Sequence, residues 1–454
     1  MAARLVEKIH LSARGLIKTV KKAFKNVKPP IKGPQGPIRK ISIYDCLTAG
    51  LAIFKLKFPS LLQFEDAQND KVTKQNLTNL FGLTNVPSDT YIREQLDEVE
   101  PSELRPAFTS VFYALQRGKA LEKFTFLDGH YLMLSDGTGF FSSSTVKCAN
   151  CCEKHHKNGE CTYYHQMLCA VLAHPDFKEV IPLCPEPIAK TDGSKKNDCE
   201  RNASERLLRD FRREHPHLPV ILAEDGLSSN GPHLKLLKEL DIRFITVVKP
   251  DGNKNLFEWV DAFKWDEDRS KWLPSQGEVS FKDDNGTTHL CRFISDAPLN
   301  ETHSSFKVNY LEYWEIDKSG TTQYHNTWVT DLTITINNAY QLARGGRCRW
   351  RIENETFNTL KNQGYNFEHN YGHGYKNLST IFAYLMVLAF LIDQAEQLCC
   401  GLFQGALAKL DNKKSRLWRT IRNLFECFYI SSWESIYRSI IKGSESYAKC
   451  LDSS

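Results

Sequence analysis

The chain has 454 residues, 41% hydrophobic and 25% charged, an ordinary soluble globular composition at a length that calls for two or three domains rather than one core. Its net charge of +5 is uneven: residues 1–40 hold eleven Lys or Arg against Glu7 alone, so that segment carries +10 and the remainder −5. No continuous apolar stretch of a secretory signal stands at the N-terminus, and the longest apolar run, Ile381–Ile392, is too short to span a bilayer.

A basic segment of this kind most often meets a polyanion; a solvated leader or an amphipathic targeting leader is the alternative. With no export signal, the 14 cysteines fit reduced thiols in a cytoplasmic protein. No membrane association is expected.

Pro29-Pro30, Gly33-Pro34 and Gly36-Pro37 close the basic arm, residues 1–40. Residues 41–120 read as helical: in "VPSDTYIREQLDEV", Ser88 is an N-cap candidate and Ile92, Leu96 and Val99 mark an apolar face. From Phe124 the pattern turns strand-like, and the chain continues β-β-β-α-β-α-β through "LPVILAEDGL" and "RFITVVKP" to about residue 250. That order predicts an α/β fold with one mixed sheet covered by helices. Residues 251–330 alternate aromatics with Thr, Asn and Gly around Asn285-Gly286 and Ser319-Gly320, a β-rich insertion. Helical character returns near Ile336. The core is completed by 331–395, the Ile381–Ile392 run reads as a buried helix, and 396–454 form a helical tail with no assigned chemistry.

Three acids are placed to build a site. Asp136 follows the apolar strand Tyr131–Leu134, Asp225 follows Val220–Leu222, and both precede glycine, a position that projects a side chain into the crevice at a sheet edge. Glu353 lies on a later helix. Uncompensated, three converging carboxylates repel one another; Mg2+ removes that penalty, and two such ions clamp the attacking and leaving oxygens of a phosphodiester. An isolated Asp-Gly is usually only a turn, the reading given to Asp128-Gly129 and Asp192-Gly193. The ordered set of strand-Asp, strand-Asp and helix-Glu is what separates the triad from these.

With "LSDGTG", "LAEDGL" and "RWRIENETFNTLK" in hand, residues 85–395 resemble the DDE transposases of bacterial insertion sequences, in the branch with a β-strand insertion before the catalytic glutamate. The resemblance implies an RNase H-like core, with Asp136, Asp225 and Glu353 holding two Mg2+ ions, cutting of DNA at element ends and strand transfer by the 3′-OH. It implies that Arg349 and Lys361 contact phosphates near the cut. Lys21, Lys22 and Lys25 of the basic arm, with the helical region behind it, would bind the terminal repeats of double-stranded DNA, and two copies would act on paired ends.

On a regular helix Arg349, Glu353, Phe357 and Lys361 share one stripe, while Trp350, Ile352 and Leu360 are free to pack on the sheet. Glu355 points about 200° away from Glu353 and is the weaker candidate. Two features depart from the family pattern: Gly346 stands where a Tyr is usual, with Tyr340 a candidate replacement, and Lys361 lies one residue further from the glutamate than in the common spacing.

The stretch "CANCCEKHHKNGECTYYH" has zinc-knuckle spacing. Its best ligand set for a structural Zn2+ is Cys148, Cys151, His156 and Cys161, with the choice of histidine open; free thiols beside DNA-contacting histidines are the alternative. Lys196, Asp198 and Arg201 read as a solvated helix face. His369 and His373 read equally as loop residues or as neighbours of the active site. Two rival functions remain: a DNA-binding protein that has lost catalysis, and a nuclease that shares the core but does not transpose.

Overall fold

The computed structural model describes residues 9–28, 41–190, 196–263, 265, 272, 274–299 and 306–443. The Pro29-Pro30, Gly33-Pro34 and Gly36-Pro37 punctuation of the basic arm and the Asp192-Gly193 pair lie outside these residues, as do the side chains of Lys196 and Asp198.

Six helices lead: α1 (Ala13–Phe24), α2 (Ile43–Lys55), α3 (Leu61–Gln68), α4 (Lys71–Phe81), α5 (Asp89–Asp97) and α6 (Arg105–Arg117). Their starts are written locally. Ser42 and Asp45 form a reciprocal capping box on α2, and Ser88 accepts from the Tyr91 N–H at the head of α5. Within the segment read as a basic arm, helix α1 has one face packed into the protein. Ala13, Leu16, Ile17, Val20, Ala23 and Phe24 form a buried stripe against α6 and the central helix of the molecule. Each large apolar side chain buried there contributes roughly 1.5–3 kcal/mol.

Seven strands and two helices follow: β1 (Tyr131–Ser143), β2 (Cys152–His155), β3 (Cys161–His174), β4 (Phe177–Pro182), β5 (Glu186–Ile188), α7 (Lys196–Glu214), β6 (Val220–Glu224), α8 (Gly231–Glu239) and β7 (Arg243–Val247). β3 runs antiparallel to both β1 and β4, whereas β6 is parallel to β1 and β7 parallel to β6. The resulting order β4-β3-β1-β6-β7, with the first three strands antiparallel and the last two parallel to the first, is the RNase H-like arrangement. Asp136-Gly137 is no turn: β1 runs on to Ser143, with a register irregularity between Gly139 and Phe141. Asp128-Gly129 is a turn, both residues having positive φ.

The insertion opens with α9 (Lys254–Asp261) and continues as β8 (Gln276–Lys282), β9 (Thr288–Pro298), β10 (Lys307–Ile316) and β11 (Thr322–Thr330). It extends the core sheet: β11 pairs with β7, and β10, β9 and β8 follow outward. The Val247, Thr246 and Ile245 edge of β7 is thereby covered, which removes an exposed strand edge.

Next come α10 (Ala339–Arg347), a π-helical segment (Ile352–Phe357), α11 (Asn358–Asn362), α12 (Leu378–Cys399), α13 (Gly401–Lys409), α14 (Lys414–Cys427) and α15 (Trp433–Lys442). Helix α12 is long and apolar enough to cross a membrane, but 94% of its most apolar window is buried within the protein. It is the central core helix, packed on α2, α5, α6 and β4. The helical tail is tied to it by a fully buried ionic cluster. Lys55 bonds Asp393 and Glu396, Lys57 bonds Asp393 at 2.7 Å, and the Tyr437 hydroxyl donates to Glu396 at 2.7 Å.

Candidate active site

Asp136 sits in the middle of β1. Its Oδ1 accepts the Gly137 N–H at 2.8 Å and its Oδ2 accepts Arg349 Nη1 at 2.9 Å. The same guanidinium nitrogen donates to Glu353 Oε1 at 3.1 Å. One cation therefore joins an acid of the sheet to an acid of the helix, 213 residues after the first in the case of Arg349 itself.

Asp225 caps the short turn after β6, accepting the Leu227 N–H at 3.0 Å, and lines a cleft with Asp136. Burial pushes the Asp136 carboxyl from its ordinary 3.8 up to about 6; Arg349 and the Gly137 N–H oppose the rise, and the charges of Glu353 and Asp225 add to it. Both other acids predicted from sequence are thus brought within electrostatic reach of Asp136. Glu355 goes elsewhere, to a second cleft with Tyr324, Arg347 and Trp350.

Glu353 lies in the π segment, where the Asn358 N–H donates to the Glu353 carbonyl five residues back. A π turn holds one residue more than an α turn, and such turns recur at functional sites. This extra residue matches the one by which Lys361 exceeds the common spacing. Lys361 reaches a groove along the β1–β3 hairpin, which it shares with Lys154 and His156, and pairs with Glu368 at 2.7 Å.

Ile352 and Leu360 are buried as expected, but Trp350 is not: it is 49% exposed, beneath the Arg349 guanidinium at 5.1 Å. Gly346 cannot be a tyrosine in this framework. A Cβ built there would lie 2.5 Å from Nε1 of the buried Trp328. Tyr340 instead lines the second cleft beside Tyr313, Tyr324 and Arg347.

Further residues surround the triad that the motifs did not single out. Glu224 is buried on β6 and accepts from Ser135 Oγ at 2.9 Å and His233 Nε2 at 2.6 Å. Burial would lower the His233 pKa, but Glu224's charge and hydrogen bond outweigh it and hold the pKa above its ordinary value. Glu200 of α7 faces β1: its Oε1 is 3.1 Å from a Cβ built on Gly137. Arg201, from the helix read as a solvated face, also lines the cleft. The "AED" of "LAEDGL" did show two adjacent acids, but only the pairing of β1 with β6 sets Glu224 beside Ser135.

Of the three lysines expected to bind DNA, Lys22 on α1 and Lys25 just after it are exposed. Lys21 is engaged within the protein instead, donating to the Phe81 carbonyl, and burial lowers its pKa.

The proposed zinc set is corrected. Cys148 and Cys151 are together, but their neighbours are His165 and His373. His156 points to Thr162 Oγ1 at 2.7 Å, and Cys161 groups with Glu153 and His155 at the far end of the β2–β3 hairpin. The reason is register. Cys152 pairs with Tyr164 and His155 with Cys161, which carries His156 and Cys161 to the hairpin tip and leaves His165 at its base. The hydrogen bond with Cys151 pulls the Cys148 thiol down to about 2, and the same bond raises that of Cys151.

No protein-family model and no curated protein matches this chain. Among solved structures it is similar to the piggyBac transposase in the cryo-EM structure of its synaptic complex with hairpin DNA. That likeness covers 99% of this chain and 86% of the other, with a TM-score of 0.40 and 10% sequence identity.

Proposed function

We propose that this protein is a DDE-type transposase that cleaves DNA at the ends of its element and joins the freed 3′-OH to target DNA. The observation that carries the reading is the Arg349 guanidinium held between Asp136 and Glu353, with Asp225 lining the same cleft as Asp136. A carboxyl raised to about 6 by burial, with two further acids adding to the rise, suits divalent-cation binding, because the cation compensates the buried charge and relieves the repulsion between the acids.

Asp136, Asp225 and Glu353 would hold two Mg2+ ions, which when bound supply Lewis-acid activation of the attacking oxygen and stabilisation of the leaving one. Arg349 orients two of the acids through hydrogen bonds to both, and it partly neutralises them before the metal arrives. The buried Glu224, fixed by Ser135 and His233, braces the turn that carries Asp225. Lys361, Lys154, Lys22 and Lys25 would take phosphates of double-stranded DNA, in the salt-dependent manner of such contacts. The exposed Trp350 offers a flat apolar surface beside the triad. Two copies would act on paired ends in the cytoplasm.

The test uses purified full-length protein and linear DNA that carries the gene's own flanking ends. Mg2+-dependent cuts at those ends, followed by joined products and absent from Asp225→Asn, are expected. Cuts without joining would favour a non-transposing nuclease. Salt-sensitive binding with no cuts in Mg2+ or Mn2+ would leave a DNA-binding protein without catalysis.

A further inference from the structure

The loop after α11 returns to the sheet beside Phe140, Phe141 and His165. His373 follows Gly372 there and is 6% exposed; His165 is 4% and Cys151 1% exposed. The donor atoms of Cys148, Cys151, His165 and His373 all lie within 4.8 Å of one another. Sγ–Sγ is 3.8 Å; His165 Nε2 is 3.4 Å from each sulfur; His373 Nε2 is 3.4 Å from Cys151 Sγ and 3.1 Å from His165 Nε2. A tetrahedron of two thiolates at about 2.3 Å and two imidazoles at about 2.0–2.1 Å has edges of roughly 3.8 Å for S–S, 3.5 Å for S–N and 3.3 Å for N–N. Five measured edges fit that figure to a few tenths of an ångström.

The imidazole chemistry agrees. His373 Nδ1 is 3.0 Å from the Gly374 carbonyl. A carbonyl only accepts, so Nδ1 carries the proton and Nε2 presents its lone pair inward, the arrangement by which metal-ligating histidines are fixed. Phe140 stacks on His165 at 5.7 Å, and Phe141 packs on His373 at 4.4 Å. These rings wall the site with apolar surface.

We propose that Cys148, Cys151, His165 and His373 bind one structural Zn2+. The ion staples the loop that follows the Glu353-bearing segment to the β1–β3 hairpin. Two thiolates and two imidazoles select zinc over hard cations, and four protein ligands leave no position for a substrate. The staple has a second anchor. Asp97 at the end of α5 accepts the backbone N–H groups of Tyr375, Lys376, Asn377 and Leu378 at 2.9–3.0 Å. Gly374 permits this approach, since a Cβ there would lie 2.2 Å from Asp97 Oδ1. The N-terminal helices, the catalytic sheet and the start of α12 therefore meet at this loop. The inference stands independently of the transposase reading.

The experiment measures metal in the purified full-length protein. One zinc per chain is expected in the wild type and in His156→Ala and Cys161→Ser, with loss in His373→Ala and Cys151→Ser. Should either ligand variant fail to fold, the wild type alone decides. Exchange of its metal for Co2+ should produce the visible absorption of a tetrahedral thiolate–imidazole site, and chelation should raise hydrogen exchange at residues 148–151 and 370–377 above that of β6. Three results overturn the proposal: wild-type protein free of zinc with a Cys148–Cys151 disulfide, zinc retained in His373→Ala but lost in Cys161→Ser, or a cobalt spectrum without tetrahedral bands.

Discussion

Replacing Asp136 by Asn should stabilise the metal-free protein at neutral pH, and the size of the effect follows from the site. The folded carboxyl titrates near 6 instead of 3.8; at 1.36 kcal/mol per pH unit, ionising it in the fold costs about 3 kcal/mol more than in the unfolded chain. Because the folded pKa is raised, this stability is present below 3.8, falls as pH rises towards 6, and is absent above. Asparagine never ionises, but it offers one oxygen where the carboxylate uses two, for Gly137 and Arg349. The lost acceptor costs about 1 kcal/mol. The variant should therefore be about 1 kcal/mol less stable than wild type at low pH and about 2 kcal/mol more stable above pH ~7, crossing over between. Matched urea melts in chelator across that range measure the difference at each pH and cancel the other titrating groups. A difference that does not change with pH, or one that moves in favour of wild type as pH rises, refutes the electrostatic account of the site.

Mg2+ should protect wild type against unfolding by about 2.7 kcal/mol at a hundredfold excess over its dissociation constant, and Asp225→Asn or Glu353→Gln should lose most of that gain in the same melts. Lys55→Ala leaves Asp393 and Glu396 in the core with Lys57 on Asp393 and only the Tyr437 hydroxyl on Glu396; a loss of about 3–5 kcal/mol is expected from denaturation midpoints, and a loss below 1 kcal/mol would contradict the burial of the cluster. Gly346→Tyr introduces the residue usual at this position in the transposases the sequence resembles, but drives a side chain into Trp328. It should destabilise by at least about 1–3 kcal/mol and disturb Trp fluorescence, while Gly346→Ala should show a milder form of the same clash.

Local patterns revealed what depends on local physics. Alternation and turn residues delimited the core strands, and capping residues marked α5, because strand faces and helix ends are set by near neighbours. What failed was contact between distant segments. Nothing in "CANCCEKHHKNGECTYYH" points to His373, which lies 208 residues beyond His165; spacing rules favour nearby donors and so point to His156 and Cys161. The β-rich segment was legible as strands, but its pairing with β7 depends on an edge that exists only in the folded sheet. Helix α1 is a different case. Leu16, Ile17, Val20 and Phe24 recur at helical spacing, and the run of lysines obscured a stripe that was in plain view. A regular helix would turn Trp350 towards the sheet, whereas the chain departs from one at Ile352.

That departure bears on how the Arg349–Glu353–Lys361 segment works. If the π turn accommodates one extra residue, deleting the exposed Asn354 should convert the bond from Asn358 to Glu353 into an ordinary α-helical bond. Residues before and after the deletion would keep their faces: Arg349 on Asp136, and Phe357, Leu360 and Lys361 where they are. Stability should then change by no more than about 1 kcal/mol. A control deletion of the exposed Arg419 in α14 has no such slack. It would rotate Ile421, Leu424 and Phe425 by about 100° relative to Leu417 and Trp418 and expose a buried face. Thermal melts of the two deletions decide the matter: comparable losses would show that the π turn is a tightly packed feature of this fold, whereas tolerance of the first deletion alone would identify it as a single-residue insertion that leaves the site's geometry intact.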